Sequence, residues 1–262
     1  MSMSVPSRWS IAIDRGGTFT DVVAWNATEV RQTKVLSAKC VSGEDAAVVG
    51  IRKVLELDDD VPLGNDLLEV VRVGTTVATN ALLTRTGERV VLVVTEGFRD
   101  LPVIGDQSRP DLFAFDIQRP QPVATQFVEA RARMAVDGQV VQPLDVASVH
   151  SDLTAAFEQG YRSVAITLLH GWQHAEHEEQ IAEVARSIGF DEVVTSRICP
   201  LRGVVSRIDT TSLDASLTPV VHSAMSRLVA SVGNTPVVCM QSTGGLIQAK
   251  SFRGNAAVLS GP

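Results

Sequence analysis

Apolar residues along this chain change their spacing several times, and each change marks an element. Ile11-Ala12-Ile13 is a short apolar run that ends at Asp14. Phe19-Thr20-Asp21-Val22-Val23-Ala24-Trp25 then alternates and is β-branched, the period-2 pattern of a half-buried strand. Residues 11–14 and 18–25 therefore predict a hairpin, with 31–36 as a third antiparallel strand. Val48, Ile51, Val54 and Leu55 fall at helical spacing and predict an amphipathic helix over 43–56. Residues 70–73 read as a buried strand, followed by a helix over 77–85 with Thr75 or Thr76 at its N-cap. A strand over 89–94 comes next, and residues 127–134 and 139–141 flank the turn signal Asp137-Gly138. From Leu144 the spacing alternates between helix (144–159, 175–188, 209–231) and strand (163–169, 192–195, 236–240). That alternation predicts an α/β fold with a mostly parallel sheet covered by helices. Residues 97–126 are rich in Pro, Asp and Gln and lack periodicity; irregular stretches of that length are often functional. The change of pattern near 135–145 divides the chain into 1–140 and 141–262.

With 262 residues, 45% of them hydrophobic, the chain can bury a sizeable core in two lobes. A net charge of −7 without a Lys/Arg cluster argues against nucleic acid and anionic membrane surfaces as partners. No apolar run approaches the roughly 20 residues that span a bilayer, and residues 1–10 lack the apolar core of a signal peptide. Cys40, Cys199 and Cys239 are far apart and lack metal or redox spacing. Cys239 ends an apolar run and reads as core. A reducing cytoplasm is the expected setting.

The chemistry concentrates in residues 14–21, Asp-Arg-Gly-Gly-Thr-Phe-Thr-Asp. Gly16 and Gly17 let backbone N–H groups approach a phosphate, and Thr18 and Thr20 add hydroxyl donors. Asp14 and Asp21 flank the turn, and carboxylates beside a phosphate imply a bridging cation such as Mg²⁺. Gly-Gly alone is an ordinary hairpin turn; the two acids and two threonines add the functional signal. Asp14 is the candidate Mg²⁺ ligand, while Asp21 suits either catalysis or a bond that pins the hairpin. Gly74-Thr75-Thr76 follows a strand and opens a helix, which fits a second phosphate contact or a plain cap; Asn80 lies one turn in and faces either way. Arg109, in the irregular segment, suits a carboxylate or phosphoryl clamp or a solvated surface. Arg202 and Arg207 precede Asp209-Thr210-Thr211, which reads as the cap of the long helix. His170, His174, His177 and Glu178 tempt a metal reading, but a loop and an acidic first helical turn explain them better.

These residues resemble the first phosphate hairpin of the actin/hexokinase-like (ribonuclease-H-like) ATPase superfamily. Within it the chain resembles the hydantoinase/oxoprolinase family. The resemblance rests on the hairpin together with residues 74–83 (GTTVATNALL), 95–101 (TEGFRDL), 104–113 (IGDQSRPDLF), 240–246 (MQSTGGL) and 258–262 (VLSGP). Asp14-Arg15-Gly16-Gly17, His177-Glu178-Glu179-Gln180, Gly189-Phe190 and Leu217-Thr218-Pro219 look closest to the 5-oxoprolinase branch. Thr243 stands where the family usually has Asn or Asp, which leaves the contact of that element open.

The resemblance implies an ATPase lobe carrying the first hairpin, followed by a βαβ portion. It implies ATP and Mg²⁺ as cofactors, with Gly16, Gly17, Thr18, Thr20, Thr75 and Thr76 holding phosphate and Asp14, Asp21 and Arg109 serving catalysis. The implied reaction phosphorylates the carbonyl of a cyclic amide such as 5-oxoproline or a hydantoin; a B-type subunit or downstream domain then completes the hydrolysis. A subunit of an ATP-dependent ketone carboxylase, a non-catalytic fragment offering an assembly surface, and a small-molecule kinase are the competing readings. In the family a second phosphate hairpin lies beyond the Ser-Gly-Pro element. The expectation is therefore a truncated chain that binds nucleotide weakly and does not turn over alone.

Overall fold

The computed structural model describes residues 8–37, 45–108, 111, 113, 115–116 and 119–260. The chain begins with β1 (Trp9–Arg15), β2 (Phe19–Trp25) and β3 (Val30–Leu36), then α1 (Ala46–Leu55), β4 (Leu68–Thr75) and α2 (Val77–Leu83). It continues through β5 (Val90–Thr95), the single turn α3 (Leu101–Ile104), β6 (Gln126–Ala130), β7 (Arg133–Met134) and β8 (Val140–Gln142). Next come α4 (Val146–Glu158), β9 (Ser163–Thr167), α5 (Glu176–Ile188), β10 (Glu192–Thr195) and α6 (Val204–Ser231). The strands β11 (Val237–Met240) and β12 (Leu246–Gln248) close the order. Contacts divide it into two compact units, Met1–Thr86 with Val220–Pro262, and Gly87–Pro219.

The first unit holds a six-stranded sheet in the order β12-β11-β4-β1-β2-β3. Its β1–β2–β3 meander is antiparallel, and β4 and β11 run parallel to β1 and β4 respectively. Alternation sorts the side chains onto two faces. Ile11, Ile13, Val22, Ala24, Val71 and Val73 are buried, and α1 packs close to β2. A Cβ on Gly50 would lie 2.5 Å from Val22 Cγ2, so only glycine permits that approach. Asp45 starts α1 by accepting a bond from Ala47 N at 2.9 Å. The positions of opposite parity, Ala12, Asp14, Asp21, Val23, Arg72 and Gly74, line a cavity instead.

The second unit holds a four-stranded, all-parallel sheet in the order β10-β9-β5-β6. Every residue of β5 and β9 is buried, as expected when both faces of a parallel sheet are covered. Val91, Val93 and Ile166 pack with Val149 and Leu153 of α4 and Ile181 and Ala185 of α5. Val90, Leu92, Val94 and Ala165 pack with Ile208 and Ala215 of α6.

The predicted hairpin, the helix at α1 and the alternation after residue 144 are present. Four expectations change. Residues 135–145 lie inside the second unit, because β5 pairs with both β6 and β9 and so binds the two sides of that stretch together. β6 joins β5 in parallel, so only β7 forms the hairpin with β8. β11 adds to the sheet of the first unit, beside β4, and not to the later parallel sheet. Finally, α6 starts at Val204, which puts Asp209-Thr210-Thr211 inside the helix rather than at its cap.

Candidate functional site

In the hairpin Asp14 pairs with Asp21 and Arg15 with Thr20, and Gly16 N closes the turn on Phe19 O at 3.0 Å. Neither Gly16 nor Gly17 needs left-handed φ. Space is what they supply: a Cβ on Gly17 would sit 3.0 Å from Asn80 Nδ2, and one on Gly16 3.0 Å from Phe19 O. Ser37 braces the loop from below. Its hydroxyl donates to Gly16 O at 2.8 Å and lies 2.9 Å from Thr20 Oγ1, while its N–H donates to Thr18 O at 2.8 Å.

A second loop is tied against the first. The Arg15 carbonyl accepts from Thr76 N at 3.1 Å and from Thr75 Oγ1 at 3.3 Å. Thr76 is the N-cap residue of α2, yet Thr75 Oγ1 is the side-chain atom that accepts from Val77 N, at 3.2 Å. Asn80, whose direction the sequence leaves open, faces the hairpin, with Nδ2 3.4 Å from Thr76 Oγ1. Ser260 Oγ donates to Thr75 O at 3.0 Å, and the Thr79 hydroxyl bonds to Val258 O. Gln241–Gly245 forms the β11–β12 turn, closed by Gln241 N to Gly245 O at 2.8 Å, with Gly244 at φ 82°. The structure thus gathers the motifs at residues 14–21, 74–80, 240–246 and 258–260 in one unit.

The side chains then divide by parity. Asp14, Asp21 and Gly74 line the cavity of about 520 Å³, together with Ala12, Val23, Arg72, Met240, Leu246 and Ser260. Thr20 and Thr75 are buried on the other face, so their hydroxyls brace the loops. Gly17 and Thr18 are exposed at the tip. Arg15 turns away to Asp45 Oδ2 at 2.9 Å and Ala224 O at 3.1 Å. Arg109 lies outside the described residues.

Among the described residues, Asp14 Oδ1 and Arg72 Nη1 on the cavity wall are buried without a hydrogen-bond partner. Burial, then the charge of Asp21, raises the Asp14 pKa, against the pull of Lys34. Lys34, directly across from Asp21 on β3, pairs with it at 3.0 Å. An unsatisfied carboxylate oxygen next to a second carboxylate suits a hard divalent cation. Mg²⁺ takes one or two protein carboxylates and leaves its other positions to water and phosphate, so the residues present fit it. Among the described residues no cluster of three His, Cys, Asp or Glu side chains forms a self-contained metal site.

Sequence reasoning missed Lys34 and Arg72. The Asp21–Lys34 pairing follows from counting across the predicted β2–β3 register, whereas Arg72 becomes visible only once β4 is placed beside β1. In the second unit, Glu178 is fully buried. It accepts from Leu168 N at 2.8 Å, Ser196 N at 2.9 Å and Ser196 Oγ at 2.8 Å, with Arg207 Nη1 at 3.6 Å. His174 bonds to Val136 O at 3.1 Å. Cys239 is core as expected, its pKa pushed up to about 12 by burial.

Residues 10–189 match the hydantoinase/oxoprolinase N-terminal region, and residues 207–262 match the hydantoinase/oxoprolinase domain. The chain belongs to the hydantoinase/oxoprolinase family. It is 35% identical to 5-oxoprolinase 1 of Arabidopsis thaliana over 294 residues, covering 100% of this chain and 23% of that protein. The gamma subunit of acetophenone carboxylase from Aromatoleum aromaticum is 32% identical, over 79% of this chain and 31% of the subunit. The crystal structure of an ATP-dependent caprolactamase from Pseudomonas jessenii superposes with a TM-score of 0.79 at 27% identity, covering 97% of this chain and 38% of that one. The expected α/β fold of the ATPase type holds. The chain spans 23% to 38% of the length of these relatives.

Proposed function

We propose that this chain is the N-terminal part of an ATP-dependent cyclic-amide hydrolase, whose hairpin holds the phosphates of ATP and whose Asp14, with Asp21, holds Mg²⁺. The observation that carries the reading is Asp14 Oδ1, buried without a hydrogen-bond partner among the described residues, on a residue that lies in register with Asp21 and Gly74. Family membership and the 5-oxoprolinase and caprolactamase relatives supply the substrate class. Bound Mg²⁺ would neutralise charge on the transferring phosphoryl group. Backbone N–H groups of Gly17 and Thr18 at the exposed tip are the available phosphate donors; removing one donor of this kind costs about 10²–10³ in rate. Ser37, Thr20 and Thr75 keep the two loops in register. The activated group is the amide carbonyl, converted by phosphorylation into a better electrophile, and a partner subunit or downstream domain of the B type completes ring opening. A cytoplasmic setting suits such an enzyme; no helix among the described residues is long and apolar enough to cross a membrane.

Titration of the chain with ATP, with and without Mg²⁺, tests the reading. Weak binding that requires Mg²⁺ and disappears in Asp14→Ala is expected. Binding indifferent to Mg²⁺ or to that substitution would overturn it. The acetophenone carboxylase relative supports a second reading, activation of a ketone for carboxylation. Turnover by the longer parent protein on ketones plus bicarbonate, but not on lactams, would favour it.

A further inference from the structure

Arg15 is the last residue of β1, and its side chain leaves the sheet on the side away from the cavity. Its register partners Thr20 and Thr75 are buried on that side, while Asp14, one residue earlier, lines the cavity on the other. Arg15 Nη1 lies 2.9 Å from Asp45 Oδ2 and donates to Ala224 O of α6 at 3.1 Å. The Asp45 side chain is only 2% exposed and is itself fixed, since its Oδ1 accepts from Ala47 N to cap α1. Charge-assisted bonds of this kind are roughly twice as strong as neutral ones. The Arg15 carbonyl meanwhile holds the second loop, through Thr76 N at 3.1 Å and Thr75 Oγ1 at 3.3 Å. One residue thus fastens the hairpin to α1, to α6 and to the Gly74–Thr76 loop, all within the first unit. The turn beyond it contains two glycines, whose backbone is the costliest to order, and Ser37 is its other brace.

We propose that Arg15 is a positioning residue for the phosphate hairpin. Its side chain, tied to Asp45 and Ala224 behind the sheet, sets the backbone of residues 14–18. The Asp14 carboxylate and the N–H groups of Gly17 and Thr18 then meet a phosphate and its cation at a fixed spacing. The guanidinium touches neither ligand; it acts through the peptide that joins Asp14 to Gly16. This rests on the nucleotide reading above and deepens it by naming what holds the hairpin in shape. Position matters at such a site, because a misplacement of about 1 Å can cost about 10²-fold in rate.

Arg15→Met alone would leave Asp45 buried without its cation and weaken the whole fold. Arg15→Met combined with Asp45→Asn removes both charges, and asparagine still caps a helix. The test is amide hydrogen exchange by NMR on this double variant, with Mg·ATP titration of the same 262-residue chain. Exchange should quicken by about tenfold or more at Gly16, Ser37 and Thr76, whose N–H groups bond within the hairpin and its neighbouring loop. Val71 N, bonded to Pro236 O at 2.9 Å, should keep the parent rate. Mg·ATP affinity should fall by about tenfold or more, and Arg15→Lys, which keeps a cation beside Asp45, should retain part of both properties. Unchanged exchange at Gly16 and Thr76, or faster exchange with unaltered affinity, would overturn the proposal. Faster exchange that extends equally to Val71 would also overturn it, because Arg15 would then serve the fold as a whole. Should the double variant fail to fold by circular dichroism, Asp45→Asn alone loosens the tether, keeps the cap and is read on the same amides. A parent chain that binds no Mg·ATP would remove the nucleotide reading, and the exchange rates would still decide whether Arg15 holds the hairpin.

Discussion

The buried charges of Glu178 and Arg207 in the second unit contrast with those on the cavity wall of the first. Glu178 and Arg207 in the second unit are both almost completely buried, and both carboxylate oxygens of Glu178 are engaged by Ser196 and Leu168. Arg207 donates to Ser196 Oγ at 2.7 Å and Leu168 O at 2.9 Å. Burial pushes the Glu178 pKa up, against its hydrogen bonds from Leu168 and Ser196 and the charge of Arg207, and pushes the Arg207 pKa down, against the charges of Glu178 and Cys199. In the first unit Asp14 Oδ1 and Arg72 Nη1 are buried without a hydrogen-bond partner among the described residues. The Glu178–Arg207 network, in which only Arg207 Nε is left without a partner among the described residues, ties α5 and α6 to the residues that follow β9 and β10, whereas Asp14 and Arg72 each present an unpartnered atom to the cavity.

Removing one side of each arrangement tests that contrast. Glu178→Ala leaves Arg207 buried without its carboxylate, a change that costs roughly 3–5 kcal/mol in comparable sites. Urea unfolding should show a loss of that size. A cost below about 1 kcal/mol would mean that the network relaxes, and the contrast between the units would fail. Packing gives the next largest effect. Gly50→Ala would place a methyl group 2.5 Å from Val22 Cγ2, and overpacking of this kind costs about 1–3 kcal/mol. An unchanged midpoint would show that α1 does not clamp the back of the hairpin. Within the second unit, Asp145 caps α4 by accepting from Ser148 N at 3.0 Å, and Asp145→Ala should lower stability by about 1 kcal/mol with no effect on ligand binding.

Local elements were legible because their signals are local. The alternation in Phe19–Trp25, the helical spacing of Val48, Ile51, Val54 and Leu55, and the unbroken apolar run of β5 each report their own burial. The eight-residue hairpin motif pointed to Asp14 and Asp21 before any strand was placed. Long-range pairing was not legible. Nothing in residues 236–240 distinguishes a strand beside β4 from one beside β10. The early start of α6 depends on a tertiary partner, since Arg207 belongs to the helix through its bonds to Ser196 and Leu168. Thr20 and Thr75 are subtler: period 2 puts them opposite Asp14, Asp21 and Gly74, and their hydroxyls bond within the loops, to Ser37, Arg15 O and Val77 N. Parity carried that information, and the motif's composition concealed it.

The smallest effect probes the unsatisfied charge directly. The raised pKa of Asp14 means that the folded chain holds this proton more tightly than the unfolded chain does. As pH rises from about 3.8, the ordinary value, the unfolded state ionises first, so this group's linkage lowers stability until the folded carboxyl has ionised too. Asp14→Asn keeps the shape and removes the charge. It should therefore match the parent chain in acid and exceed it at neutral pH, by only a few tenths of a kcal/mol because the group is partly solvated. Added Mg²⁺ should reverse the order by stabilising the parent chain but not the variant, since only the carboxylate binds the ion. Thermal melts at two pH values, with and without Mg²⁺, read all four cases. A variant less stable than the parent at neutral pH without Mg²⁺ would make Asp14 a structural residue. The difference between the two units would then disappear, because both buried carboxylates would serve the fold.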